Sequence, residues 1–75
     1  MSDKPRKIEH YDKRFGIIAI EKGFITSEDL IEALKVQVGE DIEEGTHRLI
    51  GEILLDMDKM TAMEIEMVTR NLFRR

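Results

Sequence analysis

Shifted against itself by thirty-five positions, the chain repeats. Gly16 falls on Gly51, Ile18 on Ile53, Ala19 on Leu54, Ile20 on Leu55 and Glu21 on Asp56. The register continues with Ile25 on Met60, Thr26 on Thr61, Asp29 on Glu64, Leu30 on Ile65 and Ala33 on Val68. Each unit reads as a helix, a tight turn and a capped second helix, too short to bury an apolar face alone. Two such units are stable only packed together, so the expected fold is all-α: a four-helix bundle built from two tandem helix-turn-helix units.

Periodicity and end signals place the elements. Tyr11, Phe15, Ile18 and Ala19 stand at helical spacing, and Gly23 suits a left-handed helix end, which predicts a first helix over 12–22. The β-branched run at 17–20 also suits a strand, but a short buried helix carries the same signal. Thr26 with Asp29 resembles a capping box, followed by a second helix over 27–38 whose apolar stripe is Leu30, Ile31, Leu34 and Val38. Residues 39–46 have linker composition, with Gly39, Gly45 and four acids. A third helix over 47–57 would bury Ile50, Ile53, Leu54 and Met57. Thr61 with Glu64 repeats the cap before a fourth helix over 62–73, with Ile65, Val68 and Leu72 on one face. Residues 1–9 hold Pro5, dense charge and, after the initiator, Ile8 alone as an apolar residue. The expected organisation is a flexible tail over 1–11 and one helical domain over 12–75, with repeat units at 14–37 and 48–73.

Size and composition narrow the function classes. A 75-residue chain is one domain that buries only about 60% of the surface its unfolded form exposes. With no cysteine it has neither disulfide nor thiolate metal site, which fits a reducing compartment and a cytoplasmic location. The longest apolar run, 17–20, is far short of the ~20 residues of a membrane span, so no membrane insertion is expected. The net charge of −4 is unevenly spread. Residues 21–44 carry eight acids against Lys22 and Lys35, whereas Lys4, Arg6, Lys7, Lys13, Arg14 and Arg70, Arg74, Arg75 make both ends basic. Helix-dipole complementation and solubility account for much of this pattern.

The first unit runs Arg14-Phe15-Gly16, then Ala19-Ile20, Gly23-Phe24-Ile25, Leu30, Ala33-Leu34 and Gln37. It resembles RLGxxLVxxGLLxxxxLxxALxxQ, the motif of the MshEN or GspE N-terminal type domains of type II secretion and type IV pilus assembly ATPases. Phe15 and Ala19 stand for leucines of that motif, and the spacing agrees from Arg14 to Gln37. The likeness extends over about 14–73, and no GxxxxGK[ST] phosphate loop accompanies it, so it implies the accessory domain without ATPase activity. It implies two roles known for the family: docking to a secretion or pilus component, or binding cyclic di-GMP. The second role needs guanidinium donors, close backbone approach and apolar surface for the guanines. Arg14, Phe15, Gly16, Gly23, Leu30, Leu34 and Gln37 would supply these, with Arg48, Leu49, Gly51 and Leu54 as the counterpart in the second unit. That counterpart departs from the pattern. Arg48 and Leu49 lie one position too far from Gly51, Asp58 replaces the mid-motif glycine, and Thr69 and Leu72 occupy the last leucine and glutamine positions. Structural duties also suit these residues: glycines for close packing, leucines for a core. A protein-interaction or regulatory module is therefore favoured over a cyclic di-GMP receptor, with no cofactor expected.

Other chemistries are excluded by spacing. His10 and His47 lack a companion at ligand distance, so no metal site is expected. A calcium loop begun at Asp56 would put Met60 and Met67 at ligand positions. Ser2 and Ser27 have no neighbouring base, and no catalytic constellation is seen, so the chain is read as no enzyme. In a DNA-binding reading the second helix of each unit would offer Glu28, Asp29 and Glu32, or Glu64 and Glu66, to phosphates, which repels nucleic acid. Met57 and Met60 are assigned to the core. Met63 and Met67, with Phe73, are the candidates for an adaptable docking surface.

Overall fold

A computed structural model describes residues 10–73, and residues 1–9 of the tail expected over 1–11 lie outside the described residues. Four helices follow one another: α1 (His10–Glu21), α2 (Ser27–Glu44), α3 (Ile50–Asp56) and α4 (Ala62–Leu72). No strand occurs among the described residues, so the 17–20 run is helical.

The repeat is legible bond for bond. At the end of α1, Gly23 N–H donates to Ile20 O (2.9 Å) and Phe24 N–H to Ala19 O (3.0 Å). Thirty-five residues on, Asp58 N–H donates to Leu55 O (3.0 Å) and Lys59 N–H to Leu54 O (2.9 Å). Both are Schellman-type ends, whose defining residue takes a left-handed conformation. Gly23 has φ 81° and Asp58 has φ 64°, so the aspartate adopts the geometry that glycine holds in the first unit. A side chain in that region carries a steric cost, and Asp58→Gly is expected to raise stability by about 0.5–1 kcal/mol in a urea titration.

The caps repeat as well. Thr26 Oγ1 accepts from Asp29 N–H (3.1 Å) while Asp29 Oδ2 accepts from Thr26 N–H (3.0 Å). Thr61 and Glu64 exchange the same pair at 3.1 and 3.0 Å. The Thr26 N–H, and secondarily Lys59, whose Nζ lies 3.3 Å from Asp29 Oδ1, lowers the Asp29 pKa below its ordinary value. A carboxyl depressed in the folded state stabilises above its unfolded pKa and loses that contribution as pH falls through the folded one. Asp29→Asn is therefore expected to lower the denaturation midpoint at neutral pH. The gap to the parent protein should close below the usual aspartate range.

Between units, α1 packs on α4 and α2 on α3, while α1 and α3 meet each other. Because α3 corresponds to α1 and α4 to α2, the two flanking contacts are one contact made twice. The core they enclose is Phe15, Ala19, Ile25, Ala33, Ile50, Ile53, Leu54, Met60 and Val68, with Met57 and Ile65 packed against it. Gly51 allows the approach: a methyl added there would stand 3.1 Å from Phe15 Cζ.

Four boundaries differ from expectation. Helix α1 begins at His10, so Tyr11 belongs to the domain; its ring lies 6.1 Å from Phe15 and 6.0 Å from Phe73. Helix α2 continues through Gly39 to Glu44 and ends on Gly45 at φ 69°, which shortens the 39–46 linker. Its last turns are acidic, which opposes the helix dipole, but Arg48 folds back onto Glu40 and offsets that, and His47 folds back onto Asp41. Helix α3 is correspondingly shorter than 47–57: residues 47–49 lie outside any helix, and Leu49 is extended. Helix α4 stops one residue early, at Leu72.

The face that α2 buries also differs. Ile31 and Val38, expected in its core stripe, are 52% and 47% exposed, whereas Ala33 and Gln37 are buried. What turns the helix is polar.

Candidate functional site

Asp12, Phe15 and Ala19 share one face of α1, so a carboxylate sits on the apolar side of the helix and is fully buried. Its Oδ1 accepts from Ile50 N–H (3.1 Å), a backbone donor at the start of α3 that no local side chain serves. Its Oδ2 accepts from Gln37 Nε2 (2.9 Å). The same Gln37 nitrogen donates to Arg48 O (2.8 Å). One buried carboxylate and one buried amide thus join α1, α2 and the segment entering α3. Seating Gln37 fixes the rotation of α2 and turns Ile31 and Val38 outward. Among the described residues no buried side-chain nitrogen or oxygen lacks a partner.

Arg48 closes the outside of this junction. Its Nε and Nη2 donate to the two oxygens of Glu40 (3.0 and 2.8 Å), and Nη1 donates to Asp56 Oδ2 (3.2 Å). Donating to the Glu40 carboxylate, and secondarily to Asp56, raises the pKa of the guanidinium further. His47 Nδ1 lies 3.1 Å from Asp41 Oδ1, and its Nε2 stands 3.7 Å from Asp12 Oδ2.

The residues that the motif singled out fall into several places. Phe15, Gly16, Gly51 and Leu54 are buried in packing between helices. Leu30 covers Gly16, where an added methyl would stand 2.6 Å from Leu30 Cδ2. Gly23 makes the turn after α1. Gln37 and Arg48 form the junction just described. Leu34 lines a shallow apolar groove with Ile31, Lys35, Val38 and Gly39 on the outside of α2. Arg14 is exposed and lines a cleft with Tyr11, Leu72 and Phe73, while Leu49 is 44% exposed. Asp12 was missed, and the signal that could have found it is an acid in register with Phe15 and Ala19.

Helix α4 turns Met63 and Met67 away from buried Val68, at 71% and 44% exposure. An ion pair between Arg70 Nη2 and Glu66 Oε2 (2.9 Å) lies beside them. Among the described residues no helix is long and apolar enough to cross a membrane. No cluster of three metal-ligating side chains occurs among them either. No family model, curated protein or solved structure matches the chain.

Proposed function

We propose that the chain is a non-catalytic protein-interaction or regulatory module of the cytoplasm, similar in role to the N-terminal domains of type II secretion and type IV pilus assembly ATPases. It docks a secretion or pilus component through the outer face of α4. The observation that carries this is the exposure of Met63 and Met67 on the side of α4 opposite the core. Methionines one helical turn apart give a partner a deformable apolar surface, and exposing them contributes nothing to this domain's own packing.

A cyclic di-GMP receptor is the second reading. In its favour, Arg14 is exposed beside the Tyr11 and Phe73 rings, a guanidinium next to stacking surface. Against it, the Arg48 guanidinium is engaged by two carboxylates.

A photoreactive phenylalanine analogue placed at position 63 or 67 tests the docking reading. The expected result in cells is one discrete cross-linked product from both positions and none from exposed Glu52 on α3. The purified partner should rebind the domain and fail to bind Met67→Glu. Equal cross-linking from all three positions, or none from α4, would overturn it.

A further inference from the structure

The outer face of α2 is apolar without serving the fold. Ile31, Val38 and Ile42 lie along one stripe opposite buried Ala33 and Gln37, and Ile42 is 77% exposed. Helix α2 runs on past Gln37 to Glu44, whereas α4 ends at Leu72, the position equivalent to Gln37. Gly39 adds a second observation. It sits inside a helix, where glycine is disfavoured, and no atom lies within 4 Å of the Cβ position it lacks. Neither backbone conformation nor internal packing requires glycine there. It lines the groove with Ile31, Leu34 and Val38, where a missing side chain permits close approach by a helix from outside.

Charge identifies the occupant. The flank beside the stripe carries Glu28, Glu32 and Glu43 against Lys35, and none of the three acids has an ion-pair partner among the described residues. We propose that this groove is a second docking site, which receives a basic amphipathic helix of a partner protein: apolar side chains over Ile31, Val38 and Ile42, backbone against Gly39, lysines or arginines on the glutamates. A second copy of this chain fits worse, because pairing two α2 faces doubles the acidic excess and leaves Lys35 as each copy's sole contribution of positive charge. The inference rests on the docking reading of the domain but uses a face separate from Met63 and Met67.

A synthetic helical peptide of leucine and lysine in amphipathic register, added to isotopically labelled protein, serves as the probe. Its glutamate-for-lysine analogue is the control. Amide shifts should concentrate in α2 between Ile31 and Glu43, weaken with salt and be absent for the acidic analogue. Ile42→Glu should weaken binding about tenfold or more, the loss expected when one isoleucine no longer buries. Gly39→Leu should do the same while circular dichroism stays unchanged, since the groove is open there. Shifts centred on Met63 and Met67, binding indifferent to both substitutions, concentration-dependent dimerisation through α2, or no binding at all would each overturn the proposal. Cross-linking from Met63 that persists in a protein whose α2 amides do not respond to the basic peptide would sink this site alone and leave the α4 reading intact.

Discussion

Asp12→Ala is expected to cost about 3 kcal/mol or more, measured as the fall in urea midpoint at constant slope. The substitution strips the acceptor from two buried donors, Gln37 Nε2 and Ile50 N–H. A buried donor left unpaired costs about 1–3 kcal/mol. A domain of this size holds only about 4–10 kcal/mol in total, so the substitution removes about a third of it or more. Asp12→Asn separates charge from geometry. It retains an oxygen for Ile50 N–H but turns an amide nitrogen toward Gln37, so its loss should fall between those of the parent and the alanine variant. A parent-like Asp12→Ala protein would show that the junction does not hold the units together.

Phe15→Ala should cost about 3–5 kcal/mol, the range for truncating a buried phenylalanine. Phe15 is 1% exposed and faces Gly51 across the boundary between units. The pair should therefore couple. Gly51→Ala gains helix propensity, yet it places a methyl 3.1 Å from the buried Phe15 ring, which must shift to admit it. It should be destabilising alone and less so when combined with Phe15→Leu, a non-additivity that denaturation of the four proteins measures.

What the sequence made legible is what local chemistry determines. The Thr26 and Thr61 caps, the turns at Gly23 and Asp58 and the all-α bundle follow from short motifs, and the repeat predicts that whatever occurs once occurs twice. The core assignments of Met57 and Met60 and the exposure of Met63 and Met67 follow from periodicity. Long-range polar contacts set the remainder. The length of α2 depends on Arg48 and His47 returning to Glu40 and Asp41, and its rotation depends on Gln37 reaching Asp12 twenty-five residues back. A hydrophobic stripe that includes Ile31 and Val38 carries no trace of either. Gln37 stood out as a motif residue, and the structure shows it as a bridge between helices. Asp12 did not stand out, although its register with Phe15 and Ala19 is visible in the sequence.

We propose that this domain acts by presenting apolar helix faces and holds no nucleotide at its paired motif. Titrating cyclic di-GMP into labelled protein tests that most directly. No saturable amide shifts are expected at Arg14, Gly16, Gly23, Arg48 or Gly51, even at millimolar ligand. Saturable shifts at those residues, lost in Arg14→Ala while the fold persists, would contradict it.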